Sequence, residues 1–147
     1  NIDYHYLSVT ATDKQEQQLI KLVNEQTDFL VLARYMQILS GDFIDQYEKD
    51  IINVHHSLLP SFKGSNPYKQ AFEHGVKCIG ATAHFVTDIL DDGPIIEQDT
   101  VSINHRHSVE EIKQQGAFVE KKVLAESCRL YAQHRIVRLK DKTIIFR

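Results

Sequence analysis

The sequence lacks glycine where a nucleotide-binding loop would need it. All six glycines lie at or beyond Gly41. A Gly-rich loop between a first strand and a first helix is therefore excluded, and with it the dinucleotide fingerprint and the P-loop. Cysteine is scarce too. Cys78 and Cys128 are the only two, and neither sits in a paired motif. The expectation is a reduced, cytoplasmic protein rather than a disulfide scaffold. No apolar run approaches the roughly 20 residues of a membrane-spanning helix. The opening Asn1-Ile2-Asp3-Tyr4-His5 is unlike a secretion signal. Positive charge is not in excess, since 17 Lys and Arg face 20 Asp and Glu, a formal net charge of -3. Nucleic acid is not an expected partner, and neither is a membrane. Lys121, Lys122, Arg129, Arg135 and Arg138 are spread along a helix and tail and read as a solvated face. The chain does not open on Met, so a fragment, or a chain whose leading residues are not numbered, is expected.

What is present suits one soluble domain. Hydrophobic residues make up 42% and charged residues 25% of 147, enough to bury a core in a single unit. Ile2 to Val9 reads as a short strand. Asp13 caps a helix, with Glu16 three residues on as a capping box and Leu19, Ile20, Leu22 and Val23 as the apolar stripe. Asp28 to Leu32 is a continuous apolar run that suits a buried parallel strand. A short helix follows over Gly41 to Glu48, and a second buried strand over Asp50 to His55. Pro67 opens a helix that Gly75 closes. Strands are expected at 79–86 and 95–103. Ser108 with Glu111 is another capping box, opening a helix that runs to about His134, and a hairpin turning near Asp141 ends the chain. This alternation predicts an α/β fold with an open, mostly parallel, twisted sheet flanked by helices.

The residues with chemistry cluster near strand ends. Asn53 and His55 alternate onto one face, at the carboxyl end of a predicted parallel strand, where open α/β sheets bind ligands. An Asn amide can donate to a carbonyl oxygen that becomes an oxyanion. An imidazole, with its ordinary value of about 6.5, can move a proton at neutral pH. The bland alternative is that both side chains cap the loop backbone. Asp91 is the best candidate to orient the imidazole, although Asp91-Asp92-Gly93-Pro94 is also good turn chemistry and Asp88 competes with it. His56 alternates to the face opposite His55. Ser57 shares the face of His55, so a Ser/His nucleophile is conceivable, but no nucleophile elbow surrounds it. His84 sits on a strand near the same edge. A metal site from His55, His56 and His84 is disfavoured by the alternation and by the lack of a nearby Cys.

Two runs carry a resemblance. Asn53-Val-His55-His-Ser-Leu-Leu-Pro60, with Gly64 after it, and His84-Phe-Val-Thr-Asp-Ile-Leu-Asp91-Asp-Gly-Pro94 resemble the signature of the formyltetrahydrofolate-dependent formyltransferases and hydrolases. Within that family, Leu32 to Leu39, the doubled His55-His56, Ile79 to His84 and Ile95 to Asp99 look most like the formyltetrahydrofolate deformylases. The resemblance implies a Rossmann-like formyltransferase fold in which Asn53 binds the formyl oxygen, His55 transfers protons and Asp91 positions His55. It places the folate between Met36, Gln37, Ile38 and Leu39 on one side and Thr87, Asp88 and Leu90 on the other. It also implies hydrolysis of 10-formyltetrahydrofolate to tetrahydrofolate and formate, in one-carbon balance and purine biosynthesis. The folate is then the substrate, no cofactor or metal is needed, and a homo-oligomer is expected. Residues 1–147 would form a partial catalytic domain, since family members carry an earlier strand-helix unit and deformylases an ACT-type sensing domain ahead of it. Formyl transfer to an amine, as on glycinamide ribonucleotide, uses the same three residues. A folate-binding fragment without turnover is the third reading.

Overall fold

The computed structural model describes residues 2–8, 15–61 and 66–147. Its elements run α1 (Glu16–Val23), β1 (Leu30–Leu32), α2 (Gly41–Tyr47), β2 (Ile51–His55), α3 (Pro67–Glu73), β3 (Cys78–Phe85), β4 (Ile95–Ser102), α4 (Val109–Ala132), β5 (Ile136–Leu139) and β6 (Lys142–Ile145). Strands β1 to β4 form one sheet in sequence order, and β5 and β6 form the C-terminal hairpin. The expected open sheet with flanking helices is present, but its direction needs correcting. Among the described strands of this sheet, β1 and β2 are parallel, while β2–β3 and β3–β4 are antiparallel. Burial makes an apolar run look alike in either direction, so the pattern did not reveal this. Connection length does constrain it: Phe85 to Ile95 is shorter than the dozen or so residues of a parallel crossover.

Two N-terminal expectations change. Residues 2–8 form no strand; Ile2, Tyr4 and Tyr6 are exposed. Alternation alone does not make a strand, because its backbone groups need a partner. Val9 lies outside the described residues, as does Asp13, the expected helix cap. Glu16 is bound elsewhere: its carboxylate accepts from the Ser40 N–H at 2.9 Å and from the Ser40 hydroxyl at 2.5 Å. Ser40 in turn caps α2 by accepting from the Phe43 N–H. These contacts tie α1 to α2 over a core of Ile20, Val23, Leu39, Phe43, Tyr47 and Ile51.

The second half follows its pattern closely. Strand β3 is buried from Ile79 to Phe85, and its small residues let α4 pack on Ala81 and Ala83 through Val119 and Val123. The Ser108–Glu111 capping box is present at the start of α4. Ile112, Gly116, Val119, Val123, Ser127 and Leu130 are its buried stripe, at the three- and four-residue spacing of one helix face. The hairpin is held to the sheet by Thr143, whose hydroxyl donates to the Ile95 carbonyl, and by an Arg138–Asp50 ion pair. Among the described residues no helix is long and apolar enough to cross a membrane.

Candidate active site

The β2–β3 ladder sets the geometry. Asn53 pairs directly with His84 across it, and His55 is the last residue of β2. The Asn53 amide lies 3.3 Å from His84 Nε2, and His84 Nδ1 lies 2.9 Å from the Phe85 carbonyl oxygen. A carbonyl only accepts, so Nδ1 carries the proton and Nε2 takes a hydrogen from Asn53. Burial pushes the His84 pKa down, outweighing its bond to Phe85 and the nearby Asp91 carboxylate, which act the other way. The neutral ring fits both bonds. One amide hydrogen of Asn53 is thereby fixed, and the second remains for a ligand. The ladder shifts register between Ala83 and His84, an irregularity that re-aims side chains at a sheet's end.

Asp91 comes from the β3–β4 loop. Its carboxylate lies 3.3 Å from His55 Nδ1 and 3.8 Å from His84 Nε2, and all three side chains are buried. Asp91 is both turn residue and partner of His55, with a positive φ of 54° that Asp tolerates better than most residues. Gly93 brings the loop in: a methyl group built there would lie 1.7 Å from the Phe85 carbonyl oxygen. The Phe85 N–H donates to the Pro94 carbonyl at 3.0 Å and closes the turn. Asp88 and Asp92, the competing carboxylates, are exposed.

The expected catalytic and folate-binding residues line one cavity of about 930 Å³. Asn53, His55 and Asp91 line it together with Met36, Gln37, Ile38 and Leu39 on one side and Thr87, Asp88 and Leu90 on the other. Its apolar rim is open, with Met36, Ile38, Ile89 and Leu90 largely exposed. The expected side of His56 was wrong. Strand β2 ends at His55, alternation ends with it, and His56 turns into the cavity and stacks on His55. Ser57 is buried, and its hydroxyl donates to the Ser61 carbonyl at 2.7 Å. It is not part of the cavity wall. Among the described residues no group of three or more His, Cys, Asp or Glu side chains is placed to hold a metal ion. The role of His84 was missed in sequence; the pairing of β2 with β3 was the signal that would have found it.

This arrangement offers a proton-transfer pair beside an amide donor, under a cavity with an apolar rim. Known proteins carry the same domain. The formyl transferase family model matches residues 4–128. Formyltetrahydrofolate deformylase 1, mitochondrial, of Arabidopsis thaliana is 53% identical over 146 residues, which are 99% of this chain and 45% of that protein. The crystal structure of a formyltetrahydrofolate deformylase from Pseudomonas syringae pv. tomato superposes with a TM-score of 0.91 at 45% identity, over 99% of this chain and 50% of that one. A glycinamide ribonucleotide transformylase 1 from Symbiobacterium toebii follows at a TM-score of 0.85 and 34% identity, over 94% of this chain and 65% of that one. The chain spans about half the length of the deformylases that it matches. It belongs to the formyl transferase family.

Proposed function

We propose that this domain hydrolyses 10-formyltetrahydrofolate to tetrahydrofolate and formate. The observation that carries the reading is the buried Asp91–His55 pair next to Asn53. Asn53 donates its second amide hydrogen to the formyl oxygen as negative charge develops there. His55 takes a proton from the attacking water, and Asp91 holds the ring and balances its charge. A C–O bond forms, the bond from the formyl carbon to N10 breaks, and one proton of the water ends on N10. The other is lost as formic acid ionises. The folate lies between Met36–Leu39 and the Thr87–Leu90 loop. The reaction is a net hydrolysis, so it needs no cofactor.

Water as acceptor is favoured over an amine by the likeness to proteins named deformylases, 53% and 45% against 34% for the transformylase. On this reading residues 1–147 supply part of the catalytic domain, and the products serve one-carbon balance and purine synthesis. The free Cys78 and Cys128 suit a reducing compartment, which we take to be the cytoplasm, with the chain acting as a homo-oligomer and needing neither nucleic acid nor membrane. Incubation with 10-formyltetrahydrofolate, with and without glycinamide ribonucleotide, tests the reaction. Formate released without an amine is expected. Turnover only when the amine is present would sink the hydrolytic reading.

A further inference from the structure

The cavity continues past His55. Its wall runs on through His56, Tyr68 and Glu120, which the mechanism above does not use. The His56 ring stacks on His55 with centroids 5.2 Å apart and an 18° interplanar angle. The Tyr68 ring lies 5.7 Å beyond His56, and its hydroxyl donates to Glu120 Oε1. Three elements meet here: the loop after β2, helix α3 and helix α4. Tyr68 is firmly seated. Gly116 precedes Glu120 by one turn of α4, and a methyl group built there would lie 2.2 Å from the Tyr68 hydroxyl. Helix α4 is therefore shaped to the Tyr68 ring.

These groups offer complementary hydrogen-bonding chemistry. Tyr68 and Glu120 are both 9% exposed. Burial, helped by the bond to Glu120, raises the Tyr68 pKa and keeps the phenol a donor. Burial, then the neighbouring His55, lowers the His56 pKa, so this ring is neutral near pH 7, with one donor and one acceptor. Among the described residues the Glu120 carboxylate accepts a hydrogen bond from the Tyr68 hydroxyl alone. A carboxylate has about four acceptor sites, so capacity remains toward the cavity. A buried water needs two to four polar partners of this kind.

Resting on the hydrolytic reading above, we propose that His56, Tyr68 and Glu120 form a water-holding subsite beside His55, and that this subsite positions the acceptor water for attack. Tyr68 and Glu120 are positioning residues; the proton still moves at His55. The test uses the full chain with 10-formyltetrahydrofolate and added hydroxylamine, an amine nearly as small as water. Formate and formylhydroxamate are measured for the wild type, Tyr68→Phe and Glu120→Gln. At least a fivefold rise in the hydroxamate-to-formate ratio is expected in both variants, with KM for the folate within about twofold. A purely structural role would lower both products together and leave the ratio alone. An unchanged ratio in both variants overturns the subsite. Glu120→Gln keeps an acceptor for the Tyr68 hydroxyl, so it remains decisive if loss of that hydroxyl unfolds the chain. Absence of formate from the wild type would instead overturn the hydrolytic reading, and the subsite with it.

Discussion

Asn53 and His84 face each other across the β2–β3 ladder, and the Asn53 amide donates to His84 Nε2 at 3.3 Å. The bond fixes which way the amide points. Asn53 can swivel about its terminal torsion, and His84 removes that freedom before any substrate arrives. His84→Phe keeps an aromatic ring in the site and deletes the acceptor. Formate release should fall about tenfold to a hundredfold, the cost of a misplaced catalytic group, with KM for the folate little changed. Steady-state kinetics check this, and a variant with wild-type kcat would remove His84 from the positioning of Asn53.

Stability should depend on the same ring. Burial is the leading cause that holds both His84 and His56 below the ordinary imidazole value of 6.5. As pH falls through 6.5 the unfolded chain takes up protons that the folded chain refuses. Folding stability is therefore full above 6.5 and is lost as pH drops toward the folded values of the two rings. Urea midpoints measured between pH 8 and pH 5 should decline, and less steeply in His84→Phe. Equal slopes in the two proteins would show that His84 carries none of the effect.

Local signals carried far enough to place the site's residues, and stopped where pairing began. Asn53 and His55 could be assigned to one face because alternation is a property of a single strand. Ser108 and Glu111 announced the start of α4 because a capping box closes within four residues. His84 could not be matched to Asn53, since that needs the register between strands far apart in sequence. His56 was placed on the wrong side because alternation was carried one residue beyond the end of β2. Tyr68 and Glu120, 52 residues apart, meet only through the packing of α3 against α4. Asp91 looked like a turn residue, which it is; its meeting with His55 depends on how closely Gly93 brings the loop to Phe85.

That close approach makes Gly93 a sensitive position. A methyl group there would lie 1.7 Å from the Phe85 carbonyl oxygen and 2.8 Å from its carbon. Backbone cannot yield as the tip of a side chain can. Gly93→Ala should cost about 3 kcal/mol or more, at the upper end of overpacking, and should move Asp91 away from His55. Denaturant unfolding measures the first effect and formate release the second. A variant within about 0.5 kcal/mol of wild type would show that the loop can shift freely.

The three acidic residues of the β3–β4 loop can be separated by charge-neutral substitution. Asp91 is buried against His55, whereas Asp92 is exposed and lines no part of the cavity. Asp88 lines the cavity at its exposed edge. Asn is also tolerated at positive φ, so Asp91→Asn keeps the turn and changes only the partner offered to the imidazole. Its amide cannot balance a protonated ring, and it presents an N–H as readily as an oxygen, which permits the wrong tautomer. The kcat for formate release should fall by roughly a hundredfold to ten-thousandfold, with folate binding largely retained. Asp92→Asn should match the wild type, and Asp88→Asn should act mainly on KM. Isothermal titration with tetrahydrofolate separates binding from turnover. If Asp91→Asn kept wild-type kcat, Asp91 would be a turn residue alone, and His55 would need another partner.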